Sequence, residues 1–267
     1  FTRLLDQKTT MKFNFASTPK FCISLSRCHE RRKLVKHEFD KAGITFSFYD
    51  AVDKKELIVP ELSVKYDKIG DNNASGILAC MLSHVSLIRE ARSLKLPAIC
   101  IFEDDIVLCD DFAERIKYIE RLKDFKFDFF SLGGHFGRPA NNGSPTQWNH
   151  IKRITDIGGT YGYIITQNVY DFVLRNITYN YGMDEFYGSH TYKRFRTYAF
   201  VPFLAGCRKV KSEITDTVWE YENIGWHYQQ KPLQNLYPPV NIAKSQQLVD
   251  QLAIVQPVNL KPLQSEA

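Results

Sequence analysis

The stretch Pro97–Asp111, "PAICIFEDDIVLCDD", decides how the chain is read. "AICIF" is a short apolar run of the kind that forms a strand buried on both faces, and Pro97 marks its start. Three carboxylates follow directly, Glu103, Asp104 and Asp105, before the chain turns apolar again. Crowded carboxylates repel one another and resist desolvation, so the arrangement calls for a compensating charge or for water. A divalent cation at a strand end is one solution. A solvated turn, with Asp104 or Asp105 bonding nearby backbone, is the other. Alternation sends Glu103 and Asp105 to one face of a strand and Asp104 to the opposite one.

On the N-terminal side of this strand, Ile77, Leu78, Met81, Leu82, Val85 and Ile88 recur at helical spacing from Gly76 onward. Roughly opposite lie Gly76, Cys80, Ser83 and Leu87, with His84 on the rim, and the small residues among them admit close approach by a backbone or a ligand. Further upstream, "KFCISL" reads as a strand and Ser26 as the cap of a helix through "ERRKLVKHEFDKA". Leu34, Val35 and Phe39 share one face of that helix, and Gly43 is its stop. "ITFSFYDA" alternates as a second strand, completing a β-α-β unit of the type that favours a parallel sheet. From Leu57 to Gly76 the chain is polar and turn-rich, a surface excursion.

Downstream, Asp111 and Glu114 have capping-box spacing for "FAERIKYIERLKDF". "FDFFSLGG" and "GGTYGYIIT" follow as strands, the latter leading into a helix near Asn168, and "YAFVPFLAG" is a late strand. Strands alternating with helices predict an α/β fold with a mostly parallel central sheet flanked by helices. Ligands of such sheets bind beyond the carboxyl ends of the strands, where the three carboxylates sit. Residues 1–19 read as an N-terminal tail, in part an expression remnant ahead of Met11. Residues 20–210 read as the domain, and 211–267 as a C-terminal appendage packed on it with a disordered end.

The 267 residues carry a formal charge of +5, with 44% hydrophobic and 24% charged residues, an ordinary composition for a soluble protein with a substantial core. Mild basicity fits an anionic ligand or membrane surface. No compact Lys/Arg run marks a nucleic-acid groove. No apolar run reaches the roughly 18 residues of a membrane span, and no signal-peptide pattern opens the chain. The six cysteines form no CxxC pair, so free thiols and a reducing cytoplasm are expected, with peripheral contact to the inner membrane left open.

Each candidate site residue has two readings. Arg27, Arg31 and Arg32 follow the first strand, where guanidinium forks suit a phosphate or a base and solvated helix surface is the alternative. Asp50 ends the second strand and suits a ribose or uracil contact, or a turn cap. His84 is a ligand-binding or a structural histidine. Asp184 and Glu185, in "YGMDEFYGSH", suit a general base, or the acidic first turn of a helix.

In order and spacing, "FCISLSRCHERR", "GILACMLSHVSLIREA", "AICIFEDDIVL", "GTYGYIIT" and "MDEF" resemble glycosyltransferase family 25, whose members include lipooligosaccharide and collagen galactosyltransferases. The matching region runs from about Lys20 to Val210, and the bacterial branch is the nearer. The resemblance implies a GT-A type fold, a nucleotide-sugar donor such as UDP-galactose, Mn²⁺ or Mg²⁺, inversion at the anomeric carbon, and a lipooligosaccharide or oligosaccharide acceptor. It places the metal on Asp105 first and Glu103 second, and the nucleotide pocket on Ser24, Arg27, Arg31, Asp50, Ser83, His84, Glu103 and Asp104. Gly159 and Tyr161 would lie under the sugar, and Asp184, then Glu185, would be the base. The motif reads Glu-Asp-Asp where GT-A enzymes commonly carry Asp-x-Asp. The acceptor would meet Gly137–Trp148 and the aromatic Trp219–Tyr228. Two other classes stay open. A nucleotidyltransferase or phosphohydrolase would want a second carboxylate cluster, for which Asp110-Asp111 and Asp184-Glu185 are candidates. A degenerate glycan-binding relative would bind sugar without metal.

Overall fold

A computed structural model describes residues 13–57, 71–122, 124–135, 143–148, 150–178 and 182–214. Its strands are β1 (Lys20–Ser24), β2 (Ser47–Asp50), β3 (Ala98–Glu103), β4 (Ile106–Leu108), β5 (Phe129–His135), β6 (Ser144–Pro145), β7 (Ile151–Arg153), β8 (Gly158–Thr166), β9 (Thr197–Phe200) and β10 (Ala205–Cys207). Its helices are α1 (His29–Lys41), α2 (Asp71–Ser93), α3 (Phe112–Arg121), α4 (Gln167–Asn176) and α5 (Met183–Phe186), the last continuing into a π-helical turn over Tyr187–Thr191.

The strands form one sheet in the order β2-β1-β3-β8-β5-β9-β7-β6, with β10 beside β5 and β4. β1 pairs in parallel with β2 and β3, as the β-α-β reading expects, and β5 with β9. Only β4, β7 and β8 run against the rest, so the sheet is mostly parallel in strand direction. β8 enters antiparallel between β3 and β5, and the late apolar run is two strands, β9 and β10, separated by Val201–Leu204.

Both sheet faces are buried, which is why the strands read as continuous apolar runs. Along β3, Ile99 and Ile101 join one core with Leu78, Met81, Val85 and Ile88 of α2 and Val169 and Val173 of α4. Cys100 and Phe102 point to the other core, with Val35 and Phe39 of α1 and Phe112, Ile116 and Ile119 of α3. Each such aliphatic or aromatic side chain contributes roughly 1.5–3 kcal/mol by leaving water. Phe15 packs edge-on to Phe112, so the described end of the N-terminal segment rests on the second core.

Three local readings are corrected. Ser26 does not cap α1; Cys28 occupies that position, without a side-chain cap bond. Leu34 is 41% exposed, leaving Val35 and Phe39 as the buried face of α1. The capping box at α3 does not form: Asp111 precedes the helix, but its carboxylate accepts from Arg115 Nε at 2.7 Å, a charge-assisted bond that outcompetes backbone capping. Gly43 does end α1 in the left-handed conformation, φ +67°, which costs an L side chain about 1–2 kcal/mol. Of the Leu57–Gly76 excursion, Asp71–Gly76 already belongs to α2, which starts before Gly76; residues 58–70, nearly all of the appendage, all of Trp219–Tyr228 and half of Gly137–Trp148 lie outside the described residues.

Candidate active site

β1 and β3 are adjacent and parallel, so their carboxyl ends open side by side. Between them, the N-terminal half of α2 and the segment Ser212–Ile214 lies a cleft. Gly76 lets the last wall close: a Cβ there would stand 2.6 Å from the carbonyl oxygen of Ile214, so the close approach expected of the small-residue stripe is made by backbone.

Alternation holds through Glu103 and then stops, because the chain turns at Asp104-Asp105. Glu103 continues the Ile99/Ile101 face and meets α2, while Asp104 meets β1 and α1. Asp105, expected beside Glu103, is drawn instead to the same guanidinium as Asp104: Arg31 Nη2 contacts Asp104 Oδ1 and lies 3.1 Å from Asp105 Oδ2. Asp104 Oδ2 also accepts from Ser24 Oγ at 2.7 Å. The compensation posed by the sequence is therefore partly met by Arg31.

It is met unevenly. Asp105 Oδ1 is buried and has no hydrogen-bond donor. Burial, reinforced by the charge of Glu103, pushes the Asp105 carboxyl up to about 7. Burial also raises Asp104, against the pull of Arg31 and Ser24. At Glu103 burial acts upward too, but His84, Thr160 and Arg31 outweigh it and hold the carboxyl low. Thr160 Oγ1 donates to Glu103 Oε1, a contact the sequence did not signal. It follows from strand order alone, since β8 lies beside β3.

His84 sits inside the protein, not on the rim, fully buried. Its Nδ1 lies 2.8 Å from Tyr163 Oη, which accepts from Tyr187 Oη at 3.1 Å. Its Nε2 faces Glu103 Oε1 at 3.4 Å without a formed hydrogen bond. Ser83 lines the cleft, but its hydroxyl is committed, donating to Ala79 O and accepting from the Val52 N–H, which ties α2 to the chain after β2.

The remaining candidates lie outside this lining. Asp184, at the start of α5, accepts from the Gly159 N–H at 2.9 Å and, through Oδ1, from the Glu185 N–H at 2.9 Å. Glu185 closes the helix start by accepting from the Gly182 N–H. Gly159 has φ +81°, and a Cβ there would meet the Tyr161 ring at 2.8 Å; Tyr161 Oη in turn lies 3.2 Å from His135 Nδ1. Asp184 is thus hydrogen-bonded to the strand, β8, that also supplies Thr160 to Glu103, and its charge reaches Cys80 in the cleft wall.

Arg27 points away. Asp53 and Glu213 hold it, at 2.6 and 2.9 Å, and its charge is thereby further secured. Asp50 is exposed and pairs with Arg32, which also donates to the Ser24 carbonyl. Among the described residues no second carboxylate pair converges on the cleft: Asp110 is exposed and Asp111 is held by Arg115.

For a hard divalent ion, the buried Asp105 Oδ1, near enough to Glu103 to feel its charge, is a fitting oxygen donor, because a cation would offset the burial and the Glu103 charge that raise Asp105. All six cysteines are free, and no helix among the described residues is long and apolar enough to cross a membrane.

The profile of a family described as "Glycosyltransferase family 25 (LPS biosynthesis protein)" matches residues 17–187, which include all of β1, α1, α2, β3, β8 and α5. A Haemophilus influenzae protein described as "Lipooligosaccharide biosynthesis protein lic2B" is 32% identical over 108 residues, 38% of this chain and 39% of that protein. A Neisseria meningitidis serogroup B protein described as "Lacto-N-neotetraose biosynthesis glycosyltransferase LgtB" is 34% identical over 88 residues, 32% of each chain. The aligned stretches span well under half the length of these relatives. Among solved structures, a glycosyltransferase involved in glycosylation of the major capsid of PBCV-1 overlaps 68% of this chain and 80% of its own, at 11% identity and a TM-score of 0.39.

Proposed function

Because the chain belongs to glycosyltransferase family 25, we propose that its cleft binds a nucleotide-sugar donor and that the protein transfers a hexose, galactose from UDP-galactose, to a lipooligosaccharide or related glycan. One observation carries this reading: Ser24, Arg31, His84, Glu103, Asp104 and Asp105 converge on one cleft at the carboxyl ends of β1 and β3. The printed names of the Haemophilus and Neisseria relatives support the acceptor class.

In this reading Asp105 and Glu103 hold Mn²⁺ or Mg²⁺, which, when bound, neutralises charge on the departing nucleoside diphosphate. Arg31 then has a second task. Its guanidinium stays anchored on Asp104, and its remaining N–H groups, among them an Nε without a partner, would be offered to the donor's phosphates. Ser24 fixes Asp104, and Thr160 fixes Glu103, so both carboxylates are oriented before the donor arrives. Asp184 takes the proton of the acceptor hydroxyl. Each of its oxygens receives one backbone donor and keeps a lone pair for that proton. A single displacement on the face opposite the leaving group inverts the anomeric carbon and needs no nucleophile on the protein. Glu185, engaged at the Gly182 N–H, supports α5.

The test is transfer from UDP-hexoses to a lipooligosaccharide acceptor, with wild type and Asp184→Asn compared. Turnover should fall by about 10²–10⁴-fold in the variant with donor affinity unchanged. Near-wild-type turnover would remove Asp184 from the base role.

A further inference from the structure

Cys80 and His84 are four residues apart on α2 and so share one helix face. That face looks at Glu103 across the cleft floor. The Cys80 Sγ, a ring nitrogen of His84 and a Glu103 carboxylate oxygen all lie within 4.8 Å of one another. We propose that these three residues form a site for a borderline-soft divalent cation of the Zn²⁺ or Co²⁺ class, which shares only Glu103 with the hard-ion position at Asp105.

Four observations carry this. The first is an orphan: His84 Nε2 is fully buried, aimed into the cluster and without a hydrogen-bond partner. Native structures leave few such atoms unexplained. The second is spacing. Nitrogen and oxygen ligands about 2.0–2.2 Å from a tetrahedral ion stand roughly 3.4 Å apart, and Nε2 and Glu103 Oε1 are 3.4 Å apart. That separation is long for a hydrogen bond and suited to a shared ion.

The third is support behind the ligands. A ligating histidine is oriented through its other ring nitrogen, and a ligating carboxylate is itself hydrogen-bonded. Here Nδ1 lies 2.8 Å from Tyr163 Oη, which Tyr187 holds in turn, and Glu103 accepts from Thr160. The fourth is access. All three residues line the cleft, leaving a fourth coordination position open to it. A thiol with an imidazole selects softer ions than Mg²⁺ or Ca²⁺, which prefer oxygen. Binding releases the Cys80 proton to solvent as the thiolate joins the metal. The site does not depend on the proposed transfer reaction.

The experiment is titration of Co²⁺ into the purified 267-residue chain without nucleotide, read by absorption. One equivalent should give the near-ultraviolet thiolate-to-cobalt charge-transfer band, and added Zn²⁺ should abolish it. Cys80→Ser should remove the band. His84→Gln should weaken Co²⁺ binding about tenfold or more, and Cys207→Ser should leave both unchanged. No band at saturating Co²⁺, or a band that survives Cys80→Ser, overturns the site. Should Cys80→Ser lose its native circular dichroism, zinc-edge absorption of the Cys207→Ser chain decides instead. One sulfur scatterer among nitrogen and oxygen supports the site, and a shell without sulfur overturns it. Because no nucleotide is present, failure here leaves the donor-site reading untouched, and failure of donor binding leaves this one untouched.

Discussion

Asp128 and Asp105 are aspartates near ends of strands in one sheet, the first buried and the second partly exposed, and the protein treats them in opposite ways. Asp128, just before β5, receives Arg196 at 2.8 and 2.9 Å, the Arg196 N–H at 3.1 Å and Asn168 at 2.9 Å. Burial pushes its carboxyl up, but these donors outweigh it and hold the group below the usual carboxylate range. Asp105 shares one guanidinium with Asp104, leaves an oxygen without a donor and is raised to about 7. A satisfied buried carboxylate pins β5 against β9. In the proposed reading the unsatisfied one, in the cleft, awaits a cation, and the difference in donors, more than burial, sets the two acids apart.

The sharpest way to break the comparison is Asp105→Asn. Metal-dependent UDP binding should fall below detection in calorimetry; unchanged affinity would make Asp105 merely another structural aspartate. Asp128→Asn should act on stability instead. Losing charge opposite Arg196 should lower the free energy of unfolding by about 2–3 kcal/mol, a buried-pair loss trimmed because Arg196 is 44% exposed. Denaturant unfolding measures it, and UDP affinity should not change.

The pH dependences should have opposite signs. A raised carboxyl binds its proton more tightly in the folded state, so the Asp105 contribution to stability falls as pH rises from about 4 to about 7. Asp128, depressed, contributes stability above the unfolded-state value, and loses it as pH falls through its lower folded value. Unfolding curves of each Asn variant against wild type, at several pH values, should therefore diverge in opposite directions. Gly76→Ala should have the smallest effect. Its Cβ would push on Ile214 O, costing about 1–3 kcal/mol of strain or displacing Ser212–Ile214 from the cleft wall. A variant as stable as wild type, with unchanged UDP affinity, would remove that wall from the account.

The layered sheet was legible because buried strands and an amphipathic α2 write their periods into sequence. The "AICIF" alternation sorts Ile99 and Ile101 from Cys100 and Phe102 as the two cores require. The direction of β8 was not legible, since "GGTYGYIIT" reads the same parallel or antiparallel, and with it went Thr160 as partner of Glu103. Asp105 was misplaced because alternation stops where the strand turns. Nearness to the strand end favours Arg27 over Arg31, and the structure reverses that order. Cys28, not Ser26, starts α1, which turns Arg31 toward Asp104 while Asp53 and Glu213 capture Arg27. Glu213 is far away in sequence, and no local rule could reveal that capture.

The central claim is that this cleft takes a nucleoside diphosphate with a divalent ion on Asp105 and Glu103. Calorimetric titration of UDP into the wild-type chain, once with Mn²⁺ and once with EDTA, tests it most directly. The account predicts binding with Mn²⁺ that disappears in EDTA. Equal binding in both, or none in either, would contradict it.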